Sequence, residues 1–304
     1  MKSNISRGER ETRKKFNILK RYYDKTWDSK DHTLHVGIFK KNTKNLKESY
    51  YNATDYLIKK INKASKINKE SVILDVGCGA GRTLITICEK YGCSGIGVDI
   101  SDEMVKDAKK YLEKLNKKRN EEKLQKINIK FIRGSGSKLN KLLKKDKQFT
   151  HIISQDALLL VVDKYSLYDN LHRLLKKRGI LGIADFLGEG KKEELENKQR
   201  VLIYKMINWA ESLSFNNYKK ILCSVGFKLI SSEKKDKDMI KTYEFLAEEM
   251  NKHLKSKDQI FKSLQDRYES IVGAVKTKKM GWGIFIAQKN RSFTRKLRNV
   301  SKGT

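Results

Sequence analysis

The sequence predicts an α/β protein with a doubly wound, mostly parallel sheet. Five apolar strand candidates alternate with helix candidates between residues 71 and 188, and strands separated by helices imply parallel pairing through crossover connections. A glycine-rich turn joins the first strand to the first helix, which is where such a sheet binds its ligand. We therefore expect one ligand site at the carboxyl ends of these strands.

The strand and helix candidates follow one another in a regular order. Strands are expected at residues 72–76, 95–100, 127–134, 151–154 and 179–186. The helices expected between them cover residues 83–91, 103–115 and 164–176. Helical apolar spacing in residues 16–23 and 50–61 predicts further helices before the sheet.

We interpret residues 1–290 as one domain. Its parts, in order, are a helical lid at 1–70, a ligand-binding core at 71–188, a mostly helical region at 189–277 that includes a strand near 227–232, and a closing strand at 278–290. No proline- or serine-rich linker divides these parts. Residues 291–304 are basic and poor in apolar residues, so we expect a frayed tail there.

Composition limits the class of protein. The chain has 304 residues and a formal net charge of +32; so basic a surface favours solubility and also attracts nucleic acid or anionic surfaces without specificity. No run of about 18 apolar residues occurs and the N-terminus lacks the apolar part of a secretory signal, so we expect a cytoplasmic protein without a membrane span. The four cysteines form no CxxC pair, which indicates reduced thiols and neither a zinc site nor a disulfide framework.

The strongest motif is VILDVGCGAGRT at residues 72–83. Its three glycines let the backbone turn sharply and approach a ligand without a Cβ in the way, and the helix that follows offers free amides. Asp75 can orient the loop or an amino group of the ligand. Asp99 ends the next strand, 22 residues after Gly77, where a carboxylate can accept both ribose hydroxyls of a nucleoside. The alternative is a turn followed by a capping aspartate.

These residues resemble the class I S-adenosylmethionine (SAM)-dependent methyltransferases over about residues 70–190. The resemblance implies a Rossmann-like fold, SAM as cofactor, Ile100 packed on the adenine and Ser135 at the adenine edge. Many members have an aspartate at the position of Ser135. The cofactor-binding set that the resemblance implies is Tyr23, His35, Val36, Asp75, Gly77, Cys78, Gly79, Asp99, Ile100, Ser135 and Gln155.

A narrower resemblance rests on three short motifs. They are YYDKTW…HTLHVGIF from Tyr22 to Phe39, SQDALL from Ser154, and GWGIFIAQK at residues 281–289. They look like the N-terminal lid, the substrate-side loop and the closing strand of the glycine, sarcosine and dimethylglycine N-methyltransferases and of the phosphoethanolamine N-methyltransferases. The resemblance implies that Tyr22, Tyr23 and the His35-Val36-Gly37 segment close over the cofactor and that Asp156 faces the methyl acceptor. Ordinary core packing is the alternative for the tyrosines.

The chain departs from these relatives at two positions. Many of them have a histidine four residues after the loop aspartate, where this chain has Leu160. The resemblance implies that, in the phosphoethanolamine N-methyltransferases (the phosphobase enzymes), this histidine is the catalytic partner of an N-terminal tyrosine. Ile271 stands where those enzymes are expected to have a cation for the phosphate. Both departures weigh against a phosphoethanolamine acceptor.

The acceptor side is predicted from the end of the fourth strand. Gln155 and Asp156 follow its apolar residues beside the glycine loop, so we expect Gln155 to serve the cofactor and Asp156 the acceptor. The alternative is that Asp156 caps a helix beginning at Ala157. The predicted catalytic residues are Asp156 and Tyr23, and the predicted substrate-binding residues are Tyr22, Asp156, Phe186 and Arg200.

The sequence thus predicts in-line methyl transfer from SAM to a small amine such as glycine, sarcosine or dimethylglycine. Another amine, phosphoethanolamine or an oxygen acceptor is the alternative within this class. The high positive charge would suit an RNA-modifying methyltransferase, although SQDA is not the motif of base amino-methylating enzymes. A SAM-binding protein without catalysis is the third possibility, because Leu160 replaces a functional position.

Overall fold

The computed structural model describes residues 6–28, 33–143, 148–189, 195–205, 207, 209, 213–253 and 258–290. They contain a seven-stranded sheet whose strands lie in the order β3-β2-β1-β4-β5-β7-β6. The strands are β1 Val72–Val76, β2 Ser94–Asp99, β3 Ile129–Arg133, β4 Phe149–Gln155, β5 Leu175–Gly188, β6 Phe227–Lys234 and β7 Met280–Lys289. The first five pair in parallel, and β7 runs antiparallel between β5 and β6. The predicted doubly wound fold is confirmed.

The helices lie before the sheet, between its strands and ahead of the last strand. They are α1 Arg7–Thr26, α2 Leu46–Ala64, α3 Arg82–Tyr91, α4 Asp102–Glu121, α5 Leu139–Leu142, α6 Lys164–Leu174, α7 Asn197–Arg200, α8 Phe215–Ser224, α9 Asp236–Asn251 and α10 Gln259–Lys276. A π-helical turn, Val201–Lys205, follows α7. The predicted basic tail at 291–304 lies outside the described residues.

Two predicted boundaries on either side of the turn before β3 were wrong. The helix predicted to end at residue 115 continues to Glu121, and the strand predicted from residue 127 begins at Ile129. The Asn116 side chain accepts from Ile127 N–H at 2.8 Å and donates to Ile127 O at 3.1 Å. Because a side chain satisfies the Ile127 backbone, this residue does not join the sheet.

The strand β5 also begins earlier than predicted. Leu175 pairs with Phe149, and the register then shifts before His151 pairs with Ile180. The predicted helix ran to residue 176, whereas α6 ends at Leu174. Because buried apolar residues lie on both sides of the junction between α6 and β5, the apolar pattern of the sequence does not show where the helix ends.

The last strand brings a distant side chain to the site. The antiparallel register of β7 with β5 sets Trp282 opposite Phe186, at the carboxyl end of the parallel strands. The α2 helix packs on β5, and α9 and α10 pack on each other and on β7. Among the helices in the described ranges, none is long and apolar enough to cross a bilayer.

Candidate active site

A cavity of about 960 Å³ opens at the carboxyl ends of the parallel strands. The α1 helix forms another part of its wall through residues such as Glu9, Thr12 and Phe16. The predicted site residues that line the cavity are His35, Asp75, Gly77, Cys78, Gly79, Asp99, Ile100, Ser135, Gln155, Asp156 and Arg200. The structure therefore brings together residues that are up to 165 positions apart, from His35 to Arg200.

The glycine loop needs glycine at Gly77 and Gly79 for different reasons. Both residues have positive φ angles, 76° and 50°, which disfavour a side chain. A Cβ at Gly77 would lie 2.1 Å from the Cβ of Ala157, whereas a Cβ at Gly79 would have no protein atom within 4 Å. Gly77 is thus fixed by the packing of the loop, and Gly79 keeps the space beside the loop open.

Two carboxylates lie beneath this loop. Asp99 accepts from Gly79 N–H and from Ser101 N–H, both at 2.8 Å. Burial raises the pKa of Asp99, and these backbone donors oppose the rise. Asp75 is 3% exposed, and burial, followed by the charge of Asp99, raises its pKa to about 8. A buried acid with so high a pKa gains from a cationic ligand group.

Among the described residues, the side-chain amide of Gln155 has hydrogen-bond partners for its oxygen but not for its nitrogen. Its Oε1 accepts from the Thr83 hydroxyl at 2.8 Å and from the Thr54 hydroxyl at 3.5 Å. Its buried Nε2 has no hydrogen-bond partner in the described part of the chain. Buried amide N–H groups are nearly always paired, and Gln155 lines the cavity. These residues therefore fit a ligand that offers hydrogen-bond acceptors on the cofactor side.

Asp156 joins the lid to the closing strand. Val36 N–H donates to its Oδ2 and Trp282 Nε1–H donates to its Oδ1, both at 2.7 Å. Burial raises the pKa of Asp156 well above its ordinary value, and these donors oppose that rise. The capping alternative is wrong, since the turn Leu158–Leu160 has Ala157 as its N-cap residue and no side-chain cap.

His35 fixes the lid segment next to this contact. Its Nδ1 lies 3.0 Å from Val36 O, and its Nε2 lies 3.1 Å from the Thr54 hydroxyl. Burial lowers the pKa of His35 to about 4, so the ring is neutral near pH 7. Because a carbonyl oxygen can only accept, Nδ1 carries the proton and donates to Val36 O. His35 thereby positions the Val36 amide that reaches Asp156.

The α1 helix contacts the residues that follow β3 through Glu9, which the sequence analysis did not identify as a site residue. The Glu9 carboxylate accepts from the hydroxyls of Ser135 and Ser137, and Ser6 caps the helix in a capping box with Glu9. In the sequence, Ser6-x-x-Glu9 indicates only a helix start. The predicted adenine-edge residue Ser135 is thus in contact with the lid.

Four predicted residues do not line the cavity in the described structure. Tyr22 donates its hydroxyl to Asp258 at 2.6 Å and packs against Phe261, as the packing alternative predicts. Tyr23 is buried against Trp27. Val36 reaches the site through its backbone only, and Phe186 lies behind the wall against Trp209 and Tyr243. Leu160, at the position of the missing histidine, does line the cavity.

Comparisons with known proteins agree with this geometry. Residues 67–226 match the model of a family described as a methyltransferase domain. The chain is 28% identical over 249 residues to a phosphoethanolamine N-methyltransferase of Plasmodium falciparum, covering 76% of this chain and 84% of that protein. It is 26% identical to phosphoethanolamine N-methyltransferase 1 of Zea mays, covering 71% of this chain but only 41% of the maize enzyme.

Solved structures share the fold over nearly the whole chain. A Galdieria sulphuraria protein, provisionally named a sarcosine dimethylglycine methyltransferase, superposes with a TM-score of 0.75 at 20% identity, covering 90% of this chain and 98% of that one. A cyclopropane synthase of Mycobacterium tuberculosis gives a TM-score of 0.80 at 12% identity, covering 94% and 100%. Because the family model covers more than half of the residues and the cavity contains the loop and carboxylates expected for SAM, the chain belongs to the methyltransferase domain family and is a class I SAM-dependent methyltransferase.

Proposed function

We propose that the enzyme methylates the nitrogen of a small amine, with glycine, sarcosine and dimethylglycine as the leading acceptors. The observation that carries the proposal is the half-buried Asp156 carboxylate, which lines the cavity and already accepts from two N–H donors. A preorganised carboxylate is suited to an N–H group or to developing positive charge on nitrogen. An oxygen acceptor would present neither.

The cofactor side follows from the residues beneath the glycine loop. When bound, SAM would supply a methyl group that its sulfonium already activates. We assign Asp99 to the ribose diol, Asp75 to the amino group, and the Gln155 amide to the cofactor's acceptor atoms. Gly79 leaves room for the ligand beside the loop. The Glu9 contacts with Ser135 and Ser137 close the lid over this side.

The protein's own contribution is alignment and exclusion of water. Holding the reacting groups in line can supply about 7–11 kcal/mol. Leu160 lines the cavity without a titratable group, so the amine loses its proton to solvent before the lid closes. Asp156 then holds the remaining N–H, and the Val36 and Trp282 donors keep its carboxylate in place.

Phosphoethanolamine is the second candidate acceptor. The observation in its favour is the name of the relatives that match over most of this chain. A screen of methyl-labelled SAM with amino acids, simple amines, phosphoethanolamine and total RNA decides between the classes. We expect label on a small amine; label on RNA alone, or on no acceptor, would contradict the proposal.

The Asp99→Ala variant should bind SAM about 10-fold or more weakly, because hydrogen bonds to a charged group contribute about 1.5–3 kcal/mol each. Calorimetry on the folded variant measures the change. Asp102→Ala is the matched control: it removes a carboxylate three residues away that pairs with Arg13 and Arg133 instead. Equal affinities for wild type and Asp99→Ala would remove Asp99 from the cofactor site.

The two loop glycines should separate folding from binding. In Gly79→Ala the added Cβ meets no protein atom, so stability should fall by only about 1–2 kcal/mol from the positive φ, while SAM affinity falls about 10-fold or more. In Gly77→Ala the Cβ would overlap Ala157, and stability should fall further. Denaturant unfolding and calorimetry give both values. Unchanged affinity in Gly79→Ala would place the cofactor away from this loop.

A further inference from the structure

A carboxylate of the lid lies at one end of the cavity. Glu9 is in the first turn of α1, and it lines the cavity together with Ser135 and Ser137, which follow β3. Its Oε1 accepts from the hydroxyls of these two serines, which are 126 and 128 positions away in the chain. The capping box uses only the other oxygen, since Ser6 N–H donates to Oε2 at 2.6 Å. Helix capping therefore explains one oxygen of this carboxylate and not the other.

The charge and the contacts of Glu9 favour a hydrogen-bond donor from a ligand. Burial alone would raise the pKa of Glu9, but the hydrogen bonds from the three serines outweigh it, so the pKa lies below its ordinary value. The side chain is therefore ionised near pH 7 and can only accept hydrogen bonds. The Ser135 and Ser137 hydroxyls lie 3.0 Å apart, so one of them can rotate and donate to the other. That rotation frees a lone pair of Oε1 for an N–H group in the cavity.

The order of the strands indicates which part of SAM reaches Glu9. Asp99 ends β2 and is assigned to the ribose, whereas Asp75 in β1 is assigned to the amino group at the far end of the cofactor. The strand order β3-β2-β1 places the segment after β3 on the opposite side of Asp99 from Asp75. The ribose of SAM carries the adenine on one side and the sulfonium chain on the other. The base therefore extends from Asp99 towards the end of β3, where Glu9 lies.

We propose that Glu9 binds the 6-amino group of the adenine of SAM and thereby selects an adenine nucleoside. That amino group is a hydrogen-bond donor, whereas hypoxanthine has a carbonyl oxygen at the same position. A carboxylate accepts from the first and repels the second. Because Glu9 is part of α1, the base then also holds the lid against the residues after β3. The proposal concerns the cofactor and does not depend on which acceptor is methylated.

The test compares two ligands that differ only in the base, S-adenosylhomocysteine and S-inosylhomocysteine. In Glu9→Gln, the preference for the adenosyl ligand should fall about 10-fold or more, because a neutral amide accepts more weakly from an amino group and can donate to a carbonyl. Glutamine also completes a capping box, so α1 is retained. Glu11→Gln is the matched control, since Glu11 lines the cavity too but pairs with Arg7, and its preference should equal that of wild type. Calorimetry measures both affinities, and an unchanged ratio in Glu9→Gln would overturn the proposal.

A compensating variant separates recognition of the base from support of the lid. Glu9→Ala should weaken S-adenosylhomocysteine binding about 10-fold or more and lower the Tm, since the capping box is lost. Glu9→Ala/Ser135→Asp returns a carboxylate to the place where Glu9 meets Ser135, so affinity and base preference should recover while the Tm stays low. A folded double variant without recovery would assign Glu9 to lid support alone, and Glu9→Gln decides the question if the double variant does not fold. S-adenosylhomocysteine has no methyl group to transfer, so these results stand apart from the outcome of the acceptor screen.

Discussion

The Asp156→Asn enzyme is expected to turn over about 10²-fold more slowly than wild type, on the scale of removing one preorganised electrostatic partner. The substitution removes the negative charge that we assign to the acceptor amine and keeps the shape of the side chain. Asparagine also tolerates the positive φ of 52° at this position. SAM affinity should change little, since Asp99 and Gln155 are the residues that we assign to the cofactor. Single-turnover kinetics with labelled SAM measures the effect.

A second variant is needed because Asp156 also holds the lid. Asparagine can accept from only one of the two donors, Val36 N–H and Trp282 Nε1–H, so some stability is lost, about 1–3 kcal/mol. Trp282→Phe removes one of these contacts and keeps the charge. It should slow turnover far less than Asp156→Asn does. Equal losses in the two variants would mean that lid positioning, and not charge at the amine, accounts for the effect.

The sequence predicted which residues around the glycine loop line the cavity, because that part of the site is local. An apolar strand that ends at a glycine gave the bounds of β1 at Val72–Val76. The spacing from Gly77 to Asp99 follows from one helix and one strand between them. Both carboxylates then lie in the same cavity, as the carboxyl ends of neighbouring parallel strands must.

The acceptor half depended on contacts between distant parts of the chain. Trp282 reaches Asp156 across 126 positions through the antiparallel register of β7, and no local pattern specifies that register. Tyr22 and Tyr23 are adjacent aromatic residues with the same helical pattern, yet only the packed helices show that the Tyr22 hydroxyl pairs with Asp258. Periodicity identifies the buried face of a helix but not the group that this face meets.

The affinity for SAM is expected to rise with pH by about tenfold per unit between pH 6 and 7.5 and to level off near pH 8. The cause is Asp75, whose pKa is raised to about 8 by burial and then by the charge of Asp99. Below that value the ligand-free enzyme carries a proton on Asp75. If Asp75 holds the cofactor's ammonium group, the carboxyl must ionise on binding, so binding releases a proton. Each pH unit then changes the binding free energy by about 1.4 kcal/mol.

The curve bends near pH 8 because the α-amino group of free SAM loses its own proton in that range, with a pKa of about 8. Calorimetry in buffers of different ionisation enthalpy should show about one proton released at pH 6.5. Asp75→Asn should remove the slope and lower the affinity at pH 8. The nucleoside 5′-methylthioadenosine, which lacks the amino acid group, should bind wild type with little pH dependence. A flat SAM profile from pH 6 to 8, or an unchanged slope in Asp75→Asn, would show that Asp75 orients the loop and does not hold the ammonium.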